Sequence, residues 1–179
     1  SKGGEDLVAA LDELYRAGYN VYLLMIGGAV GASDPTNRAY LARVRAAIAE
    51  RGLSQRVIWT GHLPPAEVSA SLCSADLCVL PYRDGASFRR GSFMAALAHG
   101  LAIVTTRPQV SLPELVHGEN VWLVPPAEPQ ALYAALVHLA HDAPLRGRLG
   151  AGARVLAQEF AWQRIAARTL EVYRAAAQR

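Results

Sequence analysis

Side chains that staple, ligate or stack are scarce in this chain of 179 residues, which has two cysteines, two methionines and 7% aromatics. Cys73 and Cys78 both lie inside apolar runs, at a spacing that suits neither a disulfide framework nor a metal knuckle, and they read as reduced core residues. No apolar run approaches the ~20 residues of a membrane-spanning helix, and no leader pattern opens the chain; a targeting segment further upstream would be out of view. An excess of one charge sign is missing too. Eighteen basic against 15 acidic residues leave a net +3, too even a balance for a nucleic-acid binder, so no nucleic-acid partner is expected. Arg43, Arg45, Arg51 and Arg56 are scattered around one predicted helix and its exit, the pattern of a solvated face. There is no Walker motif and no Ser-His-Asp order. His138 and His141 stand three apart on a predicted helix without a third ligand, so they read as solvated and no metal is expected. His99 precedes the glycine that closes its helix, where an imidazole interacts favourably with the helix dipole.

What the chain has is apolar substance in regular order. A 52% hydrophobic and 18% charged composition describes one compact domain over residues 1–179, large enough to bury a real core. Apolar runs at 20–26, 56–60, 75–81, 101–105 and 121–124 predict strands. Between them lie helical patterns: Leu7, Leu11, Leu14 and Tyr15; then Leu41, Val44 and Ile48 after Ser33-Asp34-Pro35; Val68 and Leu72 after Pro64-Pro65; and Phe93 to Ala98. A short helical segment is expected around 112–116. Three helices close the chain, marked by Leu132, Leu136 and Leu139, by 144–158, and by Ala166, Thr169, Leu170 and Tyr173. Strict alternation of this kind predicts an α/β fold, a Rossmann-like doubly wound parallel sheet flanked by helices. The first predicted element is a helix with no strand before it. In the doubly wound order 3-2-1-4-5-6 the first strand lies between those at 20–26 and 76–80, so a gap is expected there, filled in the natural protein by upstream residues.

Gly27-Gly28-Ala29-Val30-Gly31 follows a strand but lacks the G-x-G-x-x-G spacing, and no acidic residue ends the second strand, which excludes a dinucleotide fingerprint. The stretch from Asp84 to Ser92 is more telling. Ser87, Arg89, Arg90, Gly91 and Ser92 lie between a buried strand and a helix N-terminus, where exposed N–H groups and the helix dipole favour an anion. Ser92 is the expected N-cap, and Gly91 would admit a ligand close to the backbone. His62 falls at the C-terminal edge of the sheet, where ligand contact and plain exposure are both open readings.

In order along the chain, Lys2-Gly3, LLMIGG, VIWTGHL, ADLCVLPY, the Ala-Leu-Ala-x-Gly helix end, LAIVTT, LPELVHGENVWLVPP and EFAWQRIA resemble one family. It is the C-terminal, donor-binding half of the retaining GT-B glycosyltransferases of group 1 (family 4), and the resemblance covers essentially the whole chain. It implies transfer of a sugar from a nucleoside diphosphate to an acceptor hydroxyl, with retention and without a metal or other cofactor. The implied partners are a nucleotide sugar, an acceptor (a lipid, a polysaccharide or a small metabolite) and an N-terminal domain of the same longer chain. The fragment alone is expected to be inactive. The implied location is cytoplasmic, at most peripheral to the inner membrane face. By position, Lys2 matches the lysine that contacts the donor diphosphate, Gly61 and His62 the turn along the base, and Leu97 to Gly100 the end of the E-A-M-A-x-G helix. The family's companion arginine, a few residues before the lysine, has no counterpart here. The family also carries two glutamates with seven residues between them; Ser87 and Ala95 occupy those positions. The loop is about two residues longer than usual, and Asp84 is a candidate stand-in. A divergent donor site follows, in which Arg89 and Arg90 grip the diphosphate with charge-assisted bonds, joined by the Gly91 and Ser92 amides. Two rivals stand beside it: a nucleotide-sugar-binding or assembly module that has lost catalysis, and a sugar-nucleotide epimerase of the same architecture.

Overall fold

A computed structural model describes residues 2–27 and 35–177. Helix α1 (Gly4–Arg16) leads into strand β1 (Leu23–Ile26), α2 (Pro35–Glu50), β2 (Val57–Gly61), α3 (Pro65–Cys73), β3 (Cys78–Leu80) and α4 (Gly91–Ala98). Then come β4 (Ile103–Thr106), β5 (Trp122–Val124), α5 (Pro129–His141), α6 (Ala143–Gln158) and α7 (Trp162–Ala177). All strand pairs are parallel, β1 with β2 and then β3 with β4 with β5. This is the predicted α/β alternation, with helices as crossovers except between β4 and β5.

Strand β4 shows why a parallel strand reads as an unbroken apolar run. Val104 faces one core, with Leu14, Leu132, Leu139 and Leu149. Ile103 faces the other, with Phe93, Leu97, Val121 and Leu156. Both sides are buried, so alternation vanishes. A third cluster of Val8, Leu11, Val44, Ile48 and Leu53 fills the space between α1, α2 and the β1–β2 pair. Helix α1 contributes Leu7 and Leu14 to the first cluster and Val8 and Leu11 to the third. It therefore spans both groups of strands.

The sheet is in two pieces. Among the described residues β1 pairs only with β2, and β3 only with β4. Every residue of β1 and β3 is half-buried, whereas all of β4 is buried. The start of α1 abuts Pro81, just past the end of β3: a Cβ built on Gly3 would fall 1.8 Å from the Pro81 carbonyl oxygen. The slot in the sheet is the break between β1 and β3, each of which keeps one edge unpaired among the described residues.

Several expectations need correction. All strands but β2 are shorter than the apolar runs, β2 is shifted by one residue to Val57–Gly61, and β4 extends to Thr106. The Thr105 and Thr106 hydroxyls donate to the Leu80 and Tyr82 carbonyls at 2.8 and 2.6 Å, stitching β4 to β3 and the loop beyond it. Residues 112–116 form turns and no helix, because Asn120 captures the backbone: its Oδ1 accepts from the Val116 N–H and its Nδ2 donates to the Glu114 carbonyl. Cys73 is exposed and not a core residue. The glycine loop beyond Gly27 and the Ser33-Asp34 cap lie outside the described residues.

Candidate functional site

The loop from Pro81 to Arg90 is shaped by a few anchors. Arg83 grips the buried Asp6 of α1 bidentately, Nε to Oδ2 at 2.9 Å and Nη2 to Oδ1 at 2.8 Å, and these bonds raise the guanidinium's already high pKa. Gly85, with φ at 79°, lies so close to the backbone of residues 107–109 that a Cβ would fall 2.7 Å from the Arg107 carbonyl oxygen. The Ala86 N–H donates to Thr106 O at 3.2 Å. Phe88 turns inward against Phe160 and Phe93, with ring centroids 4.5 and 6.1 Å away. A residue pinned inward at 88 separates the two arginines that follow it.

Arg89 is exposed and has no described partner. Arg90 turns inward: it pairs with Asp84 and lies 4.1 Å above the Tyr82 ring. Its Nε is buried without a hydrogen-bond acceptor. Burial raises the pKa of the Tyr82 hydroxyl, an effect opposed by its 2.7 Å bond to Ser92 Oγ and by the Arg90 charge.

Ser92 is consequently not the helix cap. Arg90 occupies that position, with no side-chain cap bond, because α4 begins at Gly91. The local hydroxyl that serves the backbone is Ser87, whose Oγ accepts from the Arg89 N–H at 3.3 Å. A Cβ on Gly91 would meet nothing within 4 Å, so the backbone there is open to a ligand. Asp84, Gly85, Ser87, Arg89, Arg90 and Gln109 line a recess of about 370 Å³. A recess of equal volume lies between Arg45, Ile48, Ser54 and Trp59, where the arginine is already stacked 5.2 Å over the tryptophan ring.

The structure brings some predicted residues together and leaves others apart. Ser87, Arg89, Arg90 and Asp84 share the recess, with Gly91 and Ser92 at the helix start behind it. Lys2, the sole lysine, is exposed and is carried to this end of the sheet by the Gly3–Pro81 contact. Gly61, with φ at 67°, and the exposed His62 end β2, across the slot from the arginine loop. Ala95 does not line the recess; its carbonyl accepts from His99 Nδ1 at 2.8 Å. A carbonyl only accepts, so Nδ1 donates to it, and Nε2 lies 2.6 Å from the Ser69 hydroxyl. His138 rests against Trp122, and His141 meets the Tyr19 hydroxyl at 2.9 Å. Tyr82, Gln109 and the Asp6–Arg83 tie went unforeseen. The Pro-Gln after β4 carried a turn signal only, and Asp6 lies where a solvated first-turn acid is expected.

A parallel α/β sheet flanked by helices, with cations and open amides where a strand gives way to a helix, defines a Rossmann-like domain. Comparison with known proteins narrows that class. Residues 1–142 match the family described as glycosyl transferases group 1, and the chain belongs to it. It is 38% identical over 130 residues, 70% of its length, to the MMP alpha-(1->4)-mannosyltransferase of Mycolicibacterium hassiacum, of which it covers 31%. Sucrose-phosphate synthase of Thermosynechococcus elongatus superposes with a TM-score of 0.81 at 26% identity, over 98% of this chain and 42% of that one. HepE of Anabaena, solved in complex with UDP-glucose, superposes with 0.74 at 20% identity, over 88% of this chain and 41% of its own. The fold is accordingly GT-B, and the chain spans about a third of the length of the curated relatives it matches.

Proposed function

We propose that this chain is the donor-binding half of a retaining GT-B glycosyltransferase, holding a nucleoside-diphosphate sugar for transfer to an acceptor hydroxyl. The observation that carries the reading is the recess of Asp84, Ser87, Arg89, Arg90 and Gln109, at the strand-to-helix junction of a group 1 fold. Departure of the diphosphate places negative charge on its oxygens, and fixed cations and N–H dipoles lower the barrier by stabilising it. Arg89, whose guanidinium has no partner among the described residues, is the principal side-chain ligand. Lys2 and the open amides of Gly91 and Ser92 complete the set, while Arg90 is engaged with Asp84. In this reading the chain's own cations carry the leaving-group charge, with no metal or cofactor. Gly61 and His62 line the nucleotide side. Each well-placed donor contributes on the order of 3 kcal/mol to the transition state.

Two open features support a longer protein. In this reading one upstream parallel strand lies between β1 and β3, and a strand that feeds α1 and then β1 forms a right-handed crossover, the rule for such connections. Helix α7 is amphipathic, yet none of its residues is buried; Trp162 is 81% exposed and Tyr173 67%. An upstream strand would fill the slot, and an N-terminal acceptor domain would cover further surface. A cytoplasmic location, at most peripheral to the inner membrane face, goes with nucleotide-sugar chemistry. No helix among the described residues is long and apolar enough to cross a membrane.

The test is a thermal-shift and calorimetric screen of the full-length protein against UDP-, GDP- and ADP-sugars. Stabilisation by one series identifies the donor base by linkage, and Arg89→Ala weakens that binding tenfold or more. Failure of every nucleotide to bind refutes the reading. The non-acidic Ser87 and Ala95 favour one alternative, an inactive nucleotide-sugar-binding or assembly module. Tight nucleotide binding without sugar transfer to any hydroxyl acceptor would select it.

A further inference from the structure

We infer that Asp84 and Gln109 read the hydroxyls of the donor sugar, and that Arg90 is the positioning residue that aims Asp84. This rests on the donor-site reading above and divides the labour within that site. Asp84 is fixed from three sides. On one, Arg83 is locked to Asp6 of α1 by two hydrogen bonds. On the other, Gly85 is pressed against the backbone of residues 107–109, closer than any side chain would allow. From within, Arg90 binds one carboxylate oxygen, Oδ1, and is itself held over the Tyr82 ring. No described partner takes the second oxygen, and the Asp84 side chain is 49% exposed. A carboxylate with one oxygen bound by a buttressed guanidinium and the other open to a recess is an oriented acceptor.

Gln109 lines the recess from the facing loop, positioned by the same Gly85 contact. Its amide both donates and accepts, so a carboxylate and an amide together match a pair of neighbouring hydroxyls, each of which donates and accepts. Ser87 Oγ accepts from the Arg89 N–H, and Ala95 lies outside the recess. Because Arg90 is engaged with Asp84 through Nη2, Arg89 is left as the cation for the diphosphate.

The experiment compares nucleoside diphosphate with sugar nucleotide in the full-length protein. Calorimetry measures UDP and UDP-glucose, GDP and GDP-mannose, and ADP and ADP-glucose against the unmodified protein, and the pair that binds is carried forward. For D84N and Q109A the expected result is diphosphate affinity within twofold of the original and sugar-nucleotide affinity lowered tenfold or more, since a hydrogen bond to a charged group is worth about 1.5–3 kcal/mol and 1.4 kcal/mol is tenfold. R90A should show the same split as D84N, and the double variant should add little to either, because the two act as a unit. R89A should weaken both ligands alike. Equal loss of diphosphate and sugar nucleotide in D84N, or no loss of either, overturns the proposal while leaving the donor site standing. A protein that binds none of the six ligands overturns the donor site itself, and this inference with it.

Discussion

Substituting Gly3 with alanine isolates the contact that joins Lys2 to the arginine loop. Its φ of 66° lies in the left-handed region, and its Cβ would fall 1.8 Å from the Pro81 carbonyl oxygen. The backbone strain alone costs about 1–2 kcal/mol. The overlap is with backbone, so relief to an ordinary 3.4 Å contact requires α1 and Pro81 to separate by about 1.6 Å. Forced displacement of this sort adds about 1–3 kcal/mol, for a total of about 2–5. Gly18 is the internal control: its φ is 87°, yet a Cβ there meets nothing within 4 Å. Gly18→Ala should cost only the strain. At about 2–4 °C per kcal/mol for a chain of this size, Gly18→Ala should lower Tm by about 2–8 °C and Gly3→Ala by about 4–20 °C. Calorimetric affinity for the bound nucleotide should fall in Gly3→Ala and stay constant in Gly18→Ala. Equal losses of stability with nucleotide binding intact in both would refute the close-approach argument and detach Lys2 from the site.

Further outcomes follow from other contacts. Phe88→Ala removes the ring lodged against Phe160 and Phe93; it should cost about 2 kcal/mol in urea unfolding, less than the 3–5 typical of a fully buried phenylalanine because Phe88 is half-exposed. Asn120→Ala strips two backbone partners from the 114–116 turn and should cost about 1–3 kcal/mol by the same measurement. Iodoacetamide at pH 8 should alkylate the exposed Cys73 and spare Cys78 until denaturant is added, because burial pushes the Cys78 thiol up to about 12. That folded-state value lies above the ordinary 9.0, so above pH 9 the unfolded chain releases a proton that the fold retains. Stability from this group is full below pH 9 and declines toward pH 12, and Cys78→Ala should flatten that part of the curve.

Apolar runs and punctuation carried the architecture. Leu101 to Thr105 has no alternation because β4 is buried on both faces, and that is legible in any single sequence. Boundaries were less so. A strand ends where its partner ends, and the runs at 20–26 and 75–81 each have a neighbour on one side only. At the site, the cluster of arginines, hydroxyls and glycines was visible as composition. The opposite fates of Arg89 and Arg90 were not, since they depend on Phe88 finding Phe160, 72 positions later in the chain. Ser92 has the chemistry of a cap, but the Tyr82 hydroxyl claims it. Asp6 and Arg83 lie 77 residues apart, and no local pattern announces such a pair. Gln109 enters the recess only because Gly85 allows two loops to touch.

The slot itself offers the most decisive physical test. An unpaired apolar strand edge leaves its outward N–H and C=O groups to water or to another chain, a liability that folds rarely leave uncovered. Here β1 and β3 each keep one such edge among the described residues, and α1 packs against the cores on both sides. Without hydrogen bonds between β1 and β3, the relation of the His62 side to the Arg89 side rests on α1, through Asp6–Arg83, Gly3–Pro81 and the 2.5 Å bond from the Gly4 N–H to the Tyr40 hydroxyl. A strand in the slot would tie the two halves through a continuous ladder and so pre-organise both sides of the nucleotide cleft. Hydrogen exchange on residues 1–179 alone and on the full-length protein separates the cases. With the slot filled, the amides of 23–26 and 78–80 that face it should slow by orders of magnitude in the longer chain, while those of β4, paired on both sides already, change little. Identical exchange at the two edges in both proteins would mean that the slot stays open, and α1 alone would then have to hold the site in register.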